Sequence, residues 1–174
     1  MLIRKMSTNL THLTHLTNLT HLTHLNSQGK AVMVNISNKK ENLRTAIAKC
    51  TINVPDNIYK AVLDNNIKKG DVFTVSRLAG IINTKKTSDI IPLCHPLNIS
   101  DVKIDIVTNE KNTFEITSKV ETVSNTGVEM ESLVAVTTSA LTFYDMCKAL
   151  SKNIIIKDIR LVEKTGGKTE YYNK

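Results

Sequence analysis

Val102-Lys-Ile-Asp-Ile-Val-Thr-Asn-Glu-Lys-Asn-Thr-Phe-Glu-Ile-Thr-Ser-Lys-Val120 is the stretch that decides the architecture of this chain. Val102, Ile104 and Ile106 alternate with Lys103 and Asp105, and after a polar turn at Asn109 to Asn112 the residues Phe114, Ile116, Ser118 and Val120 fall on one face of a longer strand. A period of two on both sides of a turn reads as an antiparallel hairpin. Its apolar face has to be covered by a second layer.

Downstream, Leu133, Val136, Ala140, Tyr144 and Cys147 recur at helical spacing, which predicts a helix over Ser132 to Leu150, followed by a last strand from Ile154 to Val162. Upstream, Ala46, Ala48, Cys50, Ile52 and Val54 alternate strictly and read as a half-buried strand, with a shorter strand candidate at Ala31 to Ile36. After Pro55, the residues Ile58, Ala61 and Val62 suit a helix ending near Asn66, with Lys68-Lys-Gly70 as its terminator, and another helix is expected from Val72 to Lys86. The order β-β-α-α-β-β-α-β indicates an α+β fold with helices packed on an antiparallel sheet.

At 174 residues the folded part is expected to be a single domain, over 26–174. Residues 8–25 repeat the triplet Thr-His-Leu or Thr-Asn-Leu, a period matching neither helix nor strand, so 1–25 reads as a flexible low-complexity arm. His12, His15, His21 and His24 lie in that arm, and a His-rich tract of this kind is also a candidate metal chelator. The basic start Met1 to Met6, with no acidic residue before Glu41, carries a faint organelle-targeting signature, and Met6 is an alternative start. No secretory apolar core is visible, and no apolar run approaches the ~20 residues needed to cross a bilayer. Three dispersed cysteines, Cys50, Cys94 and Cys147, form no Cys-x-x-Cys pair, which suits a reduced, cytoplasmic chain without a structural zinc or iron–sulfur cluster.

The net charge of +7 favours an anionic partner. With three Phe, four Tyr and no Trp, the chain is poorly supplied with stacking platforms for nucleic acid, so phosphorylated small molecules are the better match.

Several segments carry chemistry. His95 stands between Pro92 and Pro96, whose fixed φ angles hold Leu93, Cys94 and His95 in a defined turn, either as an acid or base or as a loop histidine satisfying a carbonyl. Lys68, Lys69 and Arg77 surround Gly70 at a helix start, a place suited to phosphate, although lysines ending a helix explain them equally well. Glu129 and Glu131 share a face if extended and splay apart if helical; they are a carboxylate pair or an acidic helix entrance. Asp145 and Lys148 share a helix face, and apolar neighbours raise the expectation of a partly buried lysine with a lowered pKa. Lys164-Thr-Gly-Gly-Lys168 reads as a flexible basic segment able to fold over an anion. One imidazole, three carboxylates and six cationic side chains suit proton transfers on a phosphate-rich substrate.

Lys-Gly-Asp-Val-Phe, Ile-Pro-Leu-Cys-His-Pro-Leu, Gly-Val-Glu-Met-Glu, Leu-Thr-x-Tyr-Asp-Met-Cys-Lys-Ala and Lys-x-Gly-Gly-Lys occur here in this order, and over about residues 26–169 the chain resembles the MoaC family. The resemblance implies a ferredoxin-like fold, a hexamer built as a trimer of dimers, and active sites shared across the dimer interface. It implies conversion of a cyclic dihydro-GTP intermediate, made by a radical-SAM enzyme, to cyclic pyranopterin monophosphate with loss of pyrophosphate. No redox cofactor is implied, while Mg²⁺ beside the triphosphate is allowed. By motif position, Lys69 and Lys148 are the principal acid/base residues, assisted by His95, Glu129, Glu131 and Asp145. Arg44, Arg77, Lys164 and Lys168 would bind the triphosphate, and Leu93, Cys94 and Met130 would contact substrate.

Three positions depart from the family pattern: Asn35 where Asp is frequent, Asn125 where Lys usually precedes Thr-Gly, and Glu170 in place of a further glycine. Altered substrate affinity is the expected consequence. The competing reading is a basic binding module without catalysis, which duplex nucleic acid would reveal by a log–log salt slope of about −0.9 per phosphate neutralised.

Overall fold

A computed structural model of the protein describes residues 24–173, so the arm residues His12, His15 and His21 and the alternative starts lie outside the described part. The chain divides into two units, Met1–Asn35 and Ile36–Lys174. In the first, the strand expected at Ala31 to Ile36 is not formed; Ala31 makes only an isolated bridge with Leu25. A short run with no long strand to pair with does not propagate.

The second unit runs β1 (Asn42–Asn53), α1 (Asp56–Leu63), α2 (Val72–Thr84), α3 (Thr87–Ile90), β2 (Asp101–Glu110), β3 (Thr113–Ser124), α4 (Glu129–Cys147), β4 (Ile155–Thr165) and β5 (Tyr171–Tyr172). The sheet order is β2-β3-β1-β4-β5, antiparallel throughout. Its first four strands and the helices between them form the split βαβ arrangement of ferredoxin-like domains. The hairpin at 102–120 is β2 and β3, with Ile104 opposite Ser118 and Ile106 opposite Ile116.

One face of the sheet is dry. Ala46, Ala48, Cys50 and Ile52 of β1 and Phe114, Ile116 and Val120 of β3 are fully buried there under α4, while α2 packs on β2. Phe114 anchors this layer, with ring centroids 5.1 Å from Phe143, 5.4 Å from Tyr59 and 5.7 Å from Phe73. The hydroxyl of Ser118 donates to the carbonyl of Ser132 at 2.8 Å and so ties α4 to β3. The helices cross closely because position 80 is glycine: a β-carbon there would strike Ser139 and come within 2.9 Å of the Ala135 carbonyl. Since Gly80 meets the middle of α4 and Lys69, just before α2, meets Asp145 near its end, the two helices run antiparallel.

Element boundaries differ from expectation at several points, and α2 also ends early, at Thr84. α1 stops at Leu63, where Asn65 takes φ +50° and ends the helix, so Lys68-Lys-Gly70 is not its terminator. α4 begins at Glu129, one turn earlier than its apolar period suggests, and ends at Cys147. The basic segment at 164–168 is not a free tail, because Lys164 and Thr165 pair with Ala46 and Thr45 of β1 and the chain then turns back into β5. The turn needs glycine at 166, where φ is +78° and a β-carbon would collide with the Leu43 carbonyl.

Candidate active site

Two clusters of charged side chains sit at opposite ends of α4. At its C-terminal end, Gly70 closes a turn with its N–H on the Ile67 carbonyl at 2.9 Å, and Asp71 caps α2 by accepting from the Thr74 N–H at 3.1 Å. That turn delivers Lys69, whose Nζ donates to Asp145 Oδ2 at 2.6 Å and to the Asp145 carbonyl at 3.0 Å. Lys148, one helical turn on, lies 2.7 Å from Asp145 Oδ1. One carboxylate therefore holds two ammonium groups. Hydrogen bonds from Lys148 and then Lys69 push the Asp145 carboxyl down to about 2. The same contact raises the Lys148 pKa, and its side chain is half exposed, so the expected partly buried lysine with a lowered pKa is not what this chain forms. The carboxylate favours the charged ammonium more than burial disfavours it.

At the N-terminal end lies a cavity of about 440 Å³ lined by Lys39, Lys40, Arg44, Lys164 and Lys168, with Glu129 as the one carboxylate among the described residues that line it. Lys164 Nζ is 3.1 Å from Glu129 Oε1. Arg44 is buried and acts as a strut: Nε donates to the Ser124 carbonyl at 3.1 Å, Nη1 to the Gly166 carbonyl, and Nη2 to the Lys40 carbonyl at 3.5 Å. Much of its hydrogen-bonding capacity is spent on the backbone, leaving the lysines as the adaptable cations. Gly127 and Glu129 also line the cavity, so the positive end of the α4 dipole adds to a field suited to an anion.

Glu131 follows the helix rather than a strand and so parts from Glu129, turning inward to near-complete burial. With His95, Pro96 and Thr87 it lines a small void of about 50 Å³. Burial pushes its carboxyl up to about 7, opposed by its own backbone N–H, while repulsion from Glu129 is the smallest contribution. The expected paired-carboxylate effect is therefore minor. Neighbouring Cys94 is also raised, by burial first and then by Glu131.

Between the ordinary glutamate value of 4.5 and about 7 the folded chain binds more protons at Glu131 than the unfolded chain does. Stability present at pH 4 is thus lost as the pH rises through 7. Glu131→Gln should flatten this dependence, gaining at most about 3 kcal/mol over the wild type at pH 8 from the titration alone. Thermal melts at pH 5 and pH 8 check it; an equally steep decline in the variant contradicts it.

Most sequence-predicted residues thus fall into three groups: Lys69, Asp145 and Lys148; Arg44, Glu129, Lys164 and Lys168; and His95, Cys94 and Glu131. Leu93 is exposed in the turn before Cys94, and Met130 is half-buried in the first turn of α4. Arg77 is not at the cavity; its Nε donates to the Ile104 carbonyl at 3.2 Å and its guanidinium sits 5.9 Å over Phe73. Lys39 and Lys40 were not picked out by sequence reasoning, though a basic doublet just before a strand was the available signal. Among the described residues, no group of three or more His, Cys, Asp or Glu side chains is placed to hold a metal ion, and no helix is long and apolar enough to cross a membrane.

The MoaC family model matches residues 33–167. The chain is 50% identical over 146 residues to the cyclic pyranopterin monophosphate synthase of Heliobacterium modesticaldum, covering 83% of this chain and 92% of that protein. It is 48% identical over 152 residues to the protein of the same name from Geobacillus thermodenitrificans, covering 86% and 94%. A third relative so named, from Bacillus thuringiensis, is 49% identical over the same length.

Proposed function

Because this chain belongs to the MoaC family, we propose that it works as a lyase of molybdenum cofactor biosynthesis, converting 3′,8-cyclo-7,8-dihydroguanosine 5′-triphosphate to cyclic pyranopterin monophosphate. A triphosphate that ends as a cyclic monophosphate keeps its α-phosphorus in a ring ester and loses the other two phosphates as pyrophosphate. The cavity of five cations and one carboxylate is the observation that carries this reading, since its charge and volume match a polyphosphate. Lys69 and Lys148, both hydrogen-bonded to Asp145, supply and recover the protons that the rearrangement moves. Glu131, whose burial raises its pKa to about 7, and His95, which lines the same small void, are further acid/base groups in this reading.

The two charged clusters do not meet within one chain. Glu129 and Asp145 are sixteen residues apart on α4, about 24 Å along its axis at 1.5 Å per residue. That is too far for both to engage one nucleotide, so the complete site takes the lysine pair from one copy and the cationic cavity from another. A homo-oligomer follows, and a hexamer of three dimers is the arrangement we favour. Arg77, which lies away from this chain's own cavity, would then serve the site of a neighbouring copy. The substrate comes from a radical-SAM cyclase acting on GTP. No redox cofactor takes part in these steps, and Mg²⁺ would accompany the triphosphate as its counterion. Three free cysteines accord with work in the cytoplasm.

Incubating the purified protein with the cyclic dihydro-GTP intermediate tests this reading. Pyrophosphate and an oxidisable pterin should appear together in equal amounts; binding without either product would leave a non-catalytic module.

A further inference from the structure

The carbonyl of Ile36 accepts two hydrogen bonds, from the Lys39 N–H at 3.1 Å and from the side-chain amide of Asn125 at 2.9 Å. The first closes a turn over 36–39; the second pins that turn to the loop between β3 and α4. At the other end of the segment the Lys40 carbonyl accepts from Arg44. Held at both ends, the segment presents Lys39 and Lys40 to the cavity, and neither ammonium has an ion-pair partner among the described residues. Lys164, by contrast, is already engaged by Glu129.

We propose that Asn125 is a positioning residue that clamps the 36–40 segment, so that Lys40 serves as an anion-binding cation of the cavity. This inference rests on the reading of the cavity as a polyphosphate site and adds to it the source of one of its charges. Position 125 then contributes to binding through the backbone it holds instead of through a charge of its own. An amide suits that task, because Asn offers an N–H donor to a carbonyl at neutral charge. The Asn125 side chain lines the same cavity, so the clamp and the site are one structure.

Titration calorimetry with inorganic pyrophosphate on the full-length protein tests the assignment, using Lys40→Ala, Asn125→Ala and the double variant. Lys40→Ala should weaken pyrophosphate binding about tenfold, as the loss of one charge-assisted contact does. Asn125→Ala should weaken it similarly, with the loss appearing in the substrate KM more than in kcat. The double variant should lie within about twofold of either single one, because both changes remove the same contact. Unchanged affinity in Lys40→Ala overturns the proposal, as does full additivity in the double variant. A wild-type protein that binds no pyrophosphate overturns both the proposal and the polyphosphate reading beneath it, whereas wild-type binding with an unaffected Lys40→Ala variant removes the proposal alone. Lys40 is exposed, so its replacement leaves the fold intact even if Asn125→Ala does not.

Discussion

Replacing Lys69 or Lys148 with alanine should lower turnover by about two to four orders of magnitude, the range a positioned acid or base contributes. Both side chains are half exposed and bind Asp145 from outside the core, so neither change opens a cavity or strands a buried group. Melting temperatures should therefore stay near that of the wild type, and pyrophosphate affinity should be kept, since the cationic cavity lies at the other end of α4. Single-turnover kinetics with the cyclic dihydro-GTP intermediate separate the chemical step from binding. Wild-type rates in both variants would remove the lysine pair from the mechanism. Asp145 acts through these lysines as their shared counter-charge, and its carboxylate is what keeps Lys148 charged.

The second large effect is the reverse in kind. Lys164→Glu combined with Lys168→Glu turns two cations of the cavity into anions beside Glu129. The KM for the triphosphate substrate should rise at least about a hundredfold, from two lost charge-assisted contacts and the repulsion that replaces them. Turnover at saturation should fall much less, because the proton-transfer groups are untouched. An unchanged KM would mean that the phosphates bind elsewhere.

Legibility in the sequence followed the range over which each feature is encoded. The alternation from Ala46 to Val54 and the hairpin from Val102 to Val120 are local, and the dry face of the sheet is built from those residues. The helices are legible but their ends are not: the first turn of α4 carries Glu129 and Glu131 in place of the apolar period that marks the rest, which hides its start at Glu129. The same choice of helix over strand decided how Glu129 and Glu131 are used, one toward Lys164 and one into the protein. Lys69 and Asp145 are seventy-six positions apart, and nothing local announces their contact; the family motifs brought them together. Lys39 and Lys40 are not legible in the sequence because an exposed basic doublet has no periodicity, and only the Asn125 and Arg44 contacts give it a place. The environment of Lys148 is hidden for a related reason: apolar neighbours in sequence lie on other sides of the helix, and Lys148 itself faces out.

The two classes of variant together give the most direct test of a site assembled from two copies. Lys69→Ala protein and the Lys164→Glu, Lys168→Glu protein are each nearly inactive at substrate concentrations near the wild-type KM. When they are unfolded together and refolded, or co-expressed, random pairing into two-fold dimers makes half of the dimers mixed, and each mixed dimer has one intact site of its two. The account predicts recovery to about a quarter of wild-type activity. Activity no greater than the sum of the separate variants, in a preparation shown by native mass spectrometry to contain mixed dimers, would contradict it.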